Sequence, residues 1–210
     1  MPNWCNNWVE VGHEDPAKIK ALAEAYNRGE FCDHVIPVPE DLKITAGYLG
    51  DAEAQKELER KTAENQAKYG AGNWYDFCTS RWGTKWDISS EGVDADITDD
   101  GKAMTAGFDT AWAPPVGVYE ELVEQGYTVR AYYYEPGMCY AGVYDNGSDD
   151  CMDLSGMSAK EVESVIDSDL DEMFGITEQM YEYEAENEEE LTQWIREGAE
   201  ENKKLGLVAE

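Results

Sequence analysis

The sequence predicts an α+β fold, in which an antiparallel sheet carries helices on one face. Segments with alternating apolar residues are separated by short turn signals, a pattern typical of antiparallel strands. Segments with apolar residues at helical spacing interrupt them, in the order strand, helix, hairpin, helix, two strands, helix. The apolar fraction of 42% in 210 residues is sufficient for a packed core without disulfides or metals.

The first part of the chain is predicted to form one strand and two helices. A strand is expected at 3–12, and Asp15 followed by Pro16 is typical of the start of a helix. Residues 31–38 are expected to be extended. Residues 51–69 are rich in Ala, Glu and Lys and poor in apolar residues, which indicates an exposed helical insertion or lid.

The middle of the chain is predicted to complete the sheet. A hairpin is expected over 93–110, with its turn at 99–102, because Asp-Gly sequences favour tight turns. A helix at 116–125 and strands at 127–134 and 138–144 are expected to follow.

The last third is predicted to be helical and acidic. A capping box at 158–161 precedes a helical stripe of apolar residues that ends at Leu170, and a last helix is expected over about 187–205. The predicted organisation is therefore one domain at 1–147, with a helical insertion at about 51–72, and an acidic helical extension at 148–210 packed on it.

Four sequence blocks, in order, resemble the Api92-like family of phage and plasmid proteins. They are MPNWCNN at 1–7, WGTKWD at 82–87, TAWAPP at 110–115 and EPGM at 135–138. The resemblance implies a ferredoxin-like fold and an origin in a mobile element, and it supplies no catalytic site. It implies no iron–sulfur cluster either, and the scattered cysteines lack the clustered ligands that such a cluster needs.

The charge of the chain restricts the class of partner. Forty-six acidic residues against 16 Lys and Arg give a net charge of -30. Such a surface repels nucleic acid and anionic lipid, because phosphate binding needs basic side chains. A basic host protein or nucleoprotein complex is therefore the expected partner. The five cysteines are scattered and no apolar run reaches the length of a membrane span, so we expect a cytoplasmic protein that does not bind membranes.

The strongest concentration of acid lies at 149–190, where sixteen acidic residues accompany one lysine and carry half of the net charge. An ordered acidic face of this kind is expected to replace nucleic acid in a basic cleft, and a solvated face without a partner is the alternative. The predicted partner-binding residues are Asp149, Asp150, Asp167, Asp169, Asp171, Glu172, Glu182, Glu184, Glu186, Glu188, Glu189 and Glu190.

The aromatic blocks permit a second interpretation. Most Trp residues and Tyr75 lie beside Asn, Asp, Gly or Pro, where they either anchor the core or form a platform for stacking a ligand. Packing is the favoured interpretation for Trp4, Trp74, Tyr75, Trp82, Trp86 and Trp112. The alternative ligand site comprises Asn6, Trp82, Lys85, Asp87, Trp112 and Glu135.

Catalytic and metal motifs are weak. Cys32 and His34 are close in sequence on a predicted strand, without a third orienting group. Residues 145–150 resemble a calcium loop but lack its Glu at position 12 and place Gly147 at a ligand position. No catalytic residue, metal or cofactor is therefore predicted.

The leading hypothesis is a non-enzymatic inhibitor from a phage or plasmid that presents a DNA-like negative surface to a host defence complex, of the CRISPR or restriction type. A small-ligand module or enzyme that uses the aromatic blocks is the first alternative. A structural or accessory protein of the mobile element is the second, and the oligomeric state is not predicted.

Overall fold

The computed structural model describes residues 3–90 and 92–204, with side chains at 3–90, 92–190 and 192–197. It forms two compact units, Met1–Asp153 (unit 1) and Leu154–Glu210 (unit 2). Met1 and Pro2 of the first sequence block, and residue 205 at the end of the predicted last helix, lie outside the described residues.

Unit 1 contains a six-stranded antiparallel sheet in the order β2-β3-β1-β4-β5-β6. The first four strands and two helices follow the chain order β1-α1-β2-β3-α5-β4, which is the ferredoxin-like βαββαβ connection. Strands β5 and β6 extend this sheet beyond β4 as a meander. The strands are β1 (Trp4–Gly12), β2 (Asp96–Ile97), β3 (Ala103–Ala111), β4 (Thr128–Glu135), β5 (Tyr140–Asp145) and β6 (Ser148–Asp153).

Four of the described helices of unit 1 pack on one face of the sheet, as predicted. Along β1, Cys5, Asn7, Val9 and Val11 point to the buried face, because successive side chains of a strand alternate. The helices are α1 (Pro16–Asn27), α2 (Phe31–Val35), α3 (Ala52–Tyr69), α4 (Trp74–Arg81) and α5 (Val116–Glu124), with a 3-10 turn at Glu40–Leu42. Side chains of α1, α2, α4 and α5 form one apolar core with this face.

Side-chain caps determine where several of these helices begin. Asp15 accepts a hydrogen bond from the N–H of Ala17 at the start of α1, and Asn73 accepts bonds from two N–H groups at the start of α4. The predicted helix at 51–69 is confirmed as α3. The side chain of Asn65 donates a hydrogen bond to the carbonyl of Asp41 at 2.8 Å, which links α3 to the 3-10 turn.

The expectation that residues 31–38 are extended is wrong, because residues 31–35 form helix α2. The carboxylate of Asp87 accepts hydrogen bonds from the N–H groups of Cys32 and Asp33, both at 2.9 Å, and so caps the first turn. This cap comes from more than fifty residues along the chain, so local sequence could not reveal it.

Unit 2 is helical and contains α6 (Ala159–Glu163), α7 (Ser168–Phe174) and α8 (Ile176–Lys204). The predicted capping box is present, with Ser158 and Glu161 bonding reciprocally. The predicted stripe up to Leu170 is divided between two short helices, and the last helix begins at Ile176 rather than at 187. Residues 148–153, assigned to the helical extension, instead form strand β6 in unit 1, because they continue the meander after the turn at Asn146 and Gly147.

Candidate functional site

The predicted acidic residues lie on three elements in two units. Asp149 and Asp150 belong to β6 of unit 1, whereas the other ten belong to α7, its N-cap or α8 in unit 2. The prediction that all twelve lie on helices is therefore wrong for the two residues in β6.

At least four of the twelve carboxylates accept hydrogen bonds from groups of the protein itself. The hydroxyl of Tyr133 donates to Asp149 at 2.7 Å, and the N–H of Ala159 donates to Glu184 at 2.7 Å. Asp167 is the N-cap of α7, and Asp171 accepts from the N–H of Thr177 at 2.8 Å. These contacts assign structural roles to four predicted binding residues.

Helix α8 carries the most regular part of the acidic surface. Glu182, Glu186, Glu189 and Glu190 are all exposed, and at 100° per residue they occupy a sector of about 100° of the helix. We call these four residues the acidic stripe. No described side chain forms an ion pair with a residue of the stripe.

The six residues of the alternative ligand site do not form one site. Three of them form hydrogen bonds with backbone groups and so stabilise the fold. The indole N–H of Trp82 is buried and donates to the carbonyl of Ile36 at 2.9 Å. Glu135 is fully buried and accepts hydrogen bonds from the N–H groups of Gly137 and Met138 in the turn after β4. Asp87 caps α2 and also binds the N–H of Ile88 at 2.9 Å.

Burial affects the ionisation of Asp87. Desolvation raises the pKa of its carboxyl above the ordinary value, and the hydrogen bonds from three backbone N–H groups oppose that shift. A buried carboxylate that is surrounded by backbone donors is committed to the fold. Asp87 is therefore removed from the candidate site.

Lys85 and Trp112 remain as candidate site residues. In the structure they lie beside aromatic rings that the predicted ligand site did not include. The ring centroids of Trp86 and Trp112 are 6.3 Å apart with planes inclined by 23°, and Trp4 lies 6.4 Å from Trp86. The ammonium of Lys85 lies over the rings of Trp86, Trp112 and Tyr75. We call Trp4, Tyr75, Lys85, Trp86 and Trp112 the aromatic cluster.

Hydrogen bonds between the sequence blocks hold this cluster. The N–H of Trp112 donates to the carbonyl of Asn3 at 3.0 Å, and the hydroxyl of Tyr140 donates to the carbonyl of Trp112 at 2.6 Å. The hydroxyl of Thr84 donates to the carbonyl of Ala111 at 3.0 Å. Residues from three of the four blocks therefore meet in unit 1. Asn6, also predicted for the site, binds Asp109 at 2.8 Å.

The predicted preference for core packing holds for some aromatic residues and is wrong for others. Trp82 is buried and Trp74 packs against the core, whereas Trp4, Trp86, Trp112 and Tyr75 are exposed by 37–42%. Sequence could identify the Trp-rich blocks. It could not tell which face of the backbone each ring would occupy.

Comparison with known proteins gives a distant relation. No family model matches the chain, and no curated protein matches it. The chain is similar to the crystal structure of protein api92 from Yersinia pseudotuberculosis, of the DUF1281 family. The identity is 12%, the TM-score is 0.36, and the similarity covers 73% of this chain and 98% of that chain. Membership of the Api92-like family therefore stays a prediction.

The weaker motifs take ordinary structural places. Cys32 is buried in α2 while His34 is exposed, so the thiol and the imidazole do not share an accessible surface. Burial raises the pKa of the Cys32 thiol well above its ordinary value, which disfavours the nucleophilic thiolate.

In the described part of the chain, no group of three or more His, Cys, Asp or Glu is placed to hold a metal ion. The described helices also include none that is long and apolar enough to cross a membrane.

Proposed function

We propose that the protein is a binding protein whose acidic stripe on α8 occupies a basic cleft of a nucleic-acid-handling protein and so competes with nucleic acid. The observation that carries the proposal is the stripe itself: four exposed glutamates on one side of a long helix, without an ion pair among the described side chains. An inhibitor of a defence complex of the CRISPR or restriction type, carried by a phage or plasmid, is the specific form that we predict.

The charge spacing of the stripe is comparable to that of one nucleic-acid strand. From Glu182 to Glu190 the helix rises about 12 Å, because each residue adds about 1.5 Å. The four carboxylates enclose three intervals over that length, which gives a mean spacing of roughly 4 Å, against about 3.4 Å per phosphate along one DNA strand. A cleft that binds a phosphate backbone therefore meets a similar linear charge density on α8.

Apolar side chains further along the same helix favour a protein partner. Trp194 is 72% exposed and Ile195 is 57% exposed, and both follow the stripe by one turn. Buried Trp side chains are frequent energetic centres of protein interfaces. Charge would accelerate the encounter with a basic partner, and the apolar residues would give the complex its stability.

A capture experiment tests this function with two matched variants. The stripe variant carries Glu182→Gln, Glu186→Gln, Glu189→Gln and Glu190→Gln. The control variant changes the charge equally through Asp94→Asn, Asp96→Asn, Asp99→Asn and Glu124→Gln, at exposed positions of unit 1.

Each protein is used to capture partners from a host lysate at about 50 mM and about 500 mM salt, since screening weakens exposed charge pairs. We expect the wild type and the control variant to capture, at low salt, a protein that binds nucleic acid by itself. We expect the stripe variant to lose it. Equal capture by the stripe variant, or a partner without affinity for nucleic acid, would contradict the proposal.

A further inference from the structure

The aromatic cluster of unit 1 has the exposure of a binding surface. Trp4 is 42% exposed, Trp86 39%, Trp112 38% and Tyr75 37%, so more than a third of each ring faces solvent. Rings of this size normally bury most of their area when they serve the core. Three partly exposed indoles therefore lie together, with ring centroids 6.3 Å apart for Trp86 and Trp112 and 6.4 Å apart for Trp4 and Trp86.

Lys85 is held at this surface by the rings. Its ammonium lies 4.4 Å from the ring centroid of Trp86, 5.2 Å from that of Trp112 and 5.5 Å from that of Tyr75. These distances are within the range of cation–π attraction. No carboxylate lies within ion-pairing distance of Lys85 among the described side chains, whereas Lys43, Lys68 and Lys102 each pair with one.

Carboxylates close to the cluster in sequence are engaged elsewhere. Asp76 accepts hydrogen bonds from the backbone N–H of Gly72 and the side chain of Asn73. Asp87 and Glu135 accept backbone N–H groups in α2 and in the turn after β4. The N–H donors of Lys85 that do not face the rings are therefore available to an anion from solution.

The backbone of Trp112 supports the same interpretation. Its φ of 66° lies in the left-handed region, which is unfavourable for a bulky side chain. Its N–H donates to the carbonyl of Asn3 and its carbonyl accepts from the hydroxyl of Tyr140, and these two hydrogen bonds hold this conformation. Strain of this kind persists where surrounding contacts enforce it, and it is concentrated at binding sites. The ring of Trp112 is inclined by 23° to that of Trp86.

We infer that the aromatic cluster is a binding site for a small planar aromatic anion, of the class of a nucleoside monophosphate. The base stacks on the exposed indoles, and the phosphate pairs with the ammonium of Lys85. Stacking on aromatic side chains tolerates any base, while one lysine matches one phosphate group. A longer nucleic acid is disfavoured by the net charge of -30. Different residues carry this site and the acidic stripe, so either can fail without the other.

Titration of the full chain with adenosine monophosphate tests the site, with tryptophan fluorescence and NMR chemical shifts as readouts. Adenosine, ribose 5-phosphate and tetramethylammonium are the comparison ligands. Lys85→Met keeps the apolar stem and removes the charge, and Trp86→Leu removes one stacking surface. Lys56→Met on α3 and Trp194→Leu on α8 are matched controls at exposed positions of the same residue types.

We expect saturable binding of adenosine monophosphate, weakened about 10-fold by Lys85→Met, which corresponds to ~1.4 kcal/mol. Adenosine should bind about 10-fold more weakly than the monophosphate and be insensitive to Lys85→Met. Trp86→Leu should weaken both ligands, and the controls neither. If thermal melting shows that Trp86→Leu is unfolded, the comparison of Lys85→Met with Lys56→Met decides.

Three results would overturn the inference. The first is the absence of saturation by adenosine monophosphate up to about 10 mM, a concentration that corresponds to very weak affinity. The second is equal affinity of Lys85→Met and wild type for the monophosphate. The third is binding of tetramethylammonium without binding of the monophosphate, which would make the cluster a cage for cations.

Discussion

In unit 1, several exposed carboxylates pair with lysine or arginine, whereas the four glutamates of the acidic stripe on α8 of unit 2 pair with no described side chain. Arg60 pairs with Glu57 and Glu64 on α3, and Lys68 pairs with Asp41. Glu182, Glu186, Glu189 and Glu190 lack such partners among the described side chains. We propose that a regular array of carboxylates without such partners forms the binding surface, and that acidity alone does not.

The two units are also expected to differ in how strongly substitutions destabilise them. Unit 1 depends on close packing and on buried hydrogen bonds, and unit 2 depends on short capped helices with a thin apolar interior. We therefore expect substitutions of comparable size to have larger effects on the stability of unit 1.

The largest effect is expected at the start of α5. A Cβ added at Gly117 would lie 2.1 Å from the carbonyl oxygen of Arg81. This oxygen belongs to the backbone, so it cannot move aside easily. Gly117→Ala should lower the free energy of unfolding by about 3 kcal/mol. Chemical denaturation measures it. Gly50→Ala is the control, because nothing lies within 4 Å of its added Cβ.

A smaller loss is expected from Asp87→Ala. The substitution leaves the partly buried N–H groups of Cys32, Asp33 and Ile88 without their acceptor, which should lower the free energy of unfolding by about 2 kcal/mol. Amide hydrogen exchange should accelerate in α2 first. Unchanged exchange there would show that another group caps this helix.

Removal of a helix-capping carboxylate in unit 2 should lower stability by less than it does in unit 1. Asp167 caps α7 with hydrogen bonds from the N–H groups of Asp169 and Leu170 at the exposed end of the helix. Asp167→Ala should lower the local stability of α7 by about 1 kcal/mol. Hydrogen exchange at Asp169 and Leu170 measures it, and a loss as large as that of Asp87→Ala would remove the contrast between the units.

The smallest effect is expected from the acidic stripe. Glu182, Glu186 and Glu190 follow one another at i, i+4 spacing, where like charges repel by about 0.2–0.5 kcal/mol per pair. The stripe variant should therefore have slightly more helix than the wild type, by circular dichroism at low salt. A loss of helix would mean that these glutamates stabilise the protein and are not held for a partner.

The sequence predicted the sheet and its helices well because their signals are local. The turn around Gly101, the helix at 116–125 and the capping box at Ser158 depend on residues that are neighbours along the chain. Helix α2 was missed because its cap, Asp87, comes from a distant segment. Strand β6 was missed because its acidic residues have low strand propensity, and its pairing with β5 is what orders it.

The candidate sites were predicted to a smaller extent. The concentration of acid after residue 149 is visible in the sequence, but the structural use of Asp149 and Glu184 depends on Tyr133 and on the N–H of Ala159. The Trp-rich blocks were visible too. Their assembly around Lys85 depends on the start of β1, helix α4, the segment at 85–86 and the residue after β3, which meet only in the folded protein.

The most direct test of the central claim is competition between this protein and duplex DNA for the captured partner. Labelled DNA is bound to the purified partner, and wild type, the stripe variant or the control variant is added at increasing concentration. We predict that the wild type and the control displace the DNA and that the stripe variant does not. Equal displacement by the stripe variant, or a complex that holds protein and DNA together, would contradict the account.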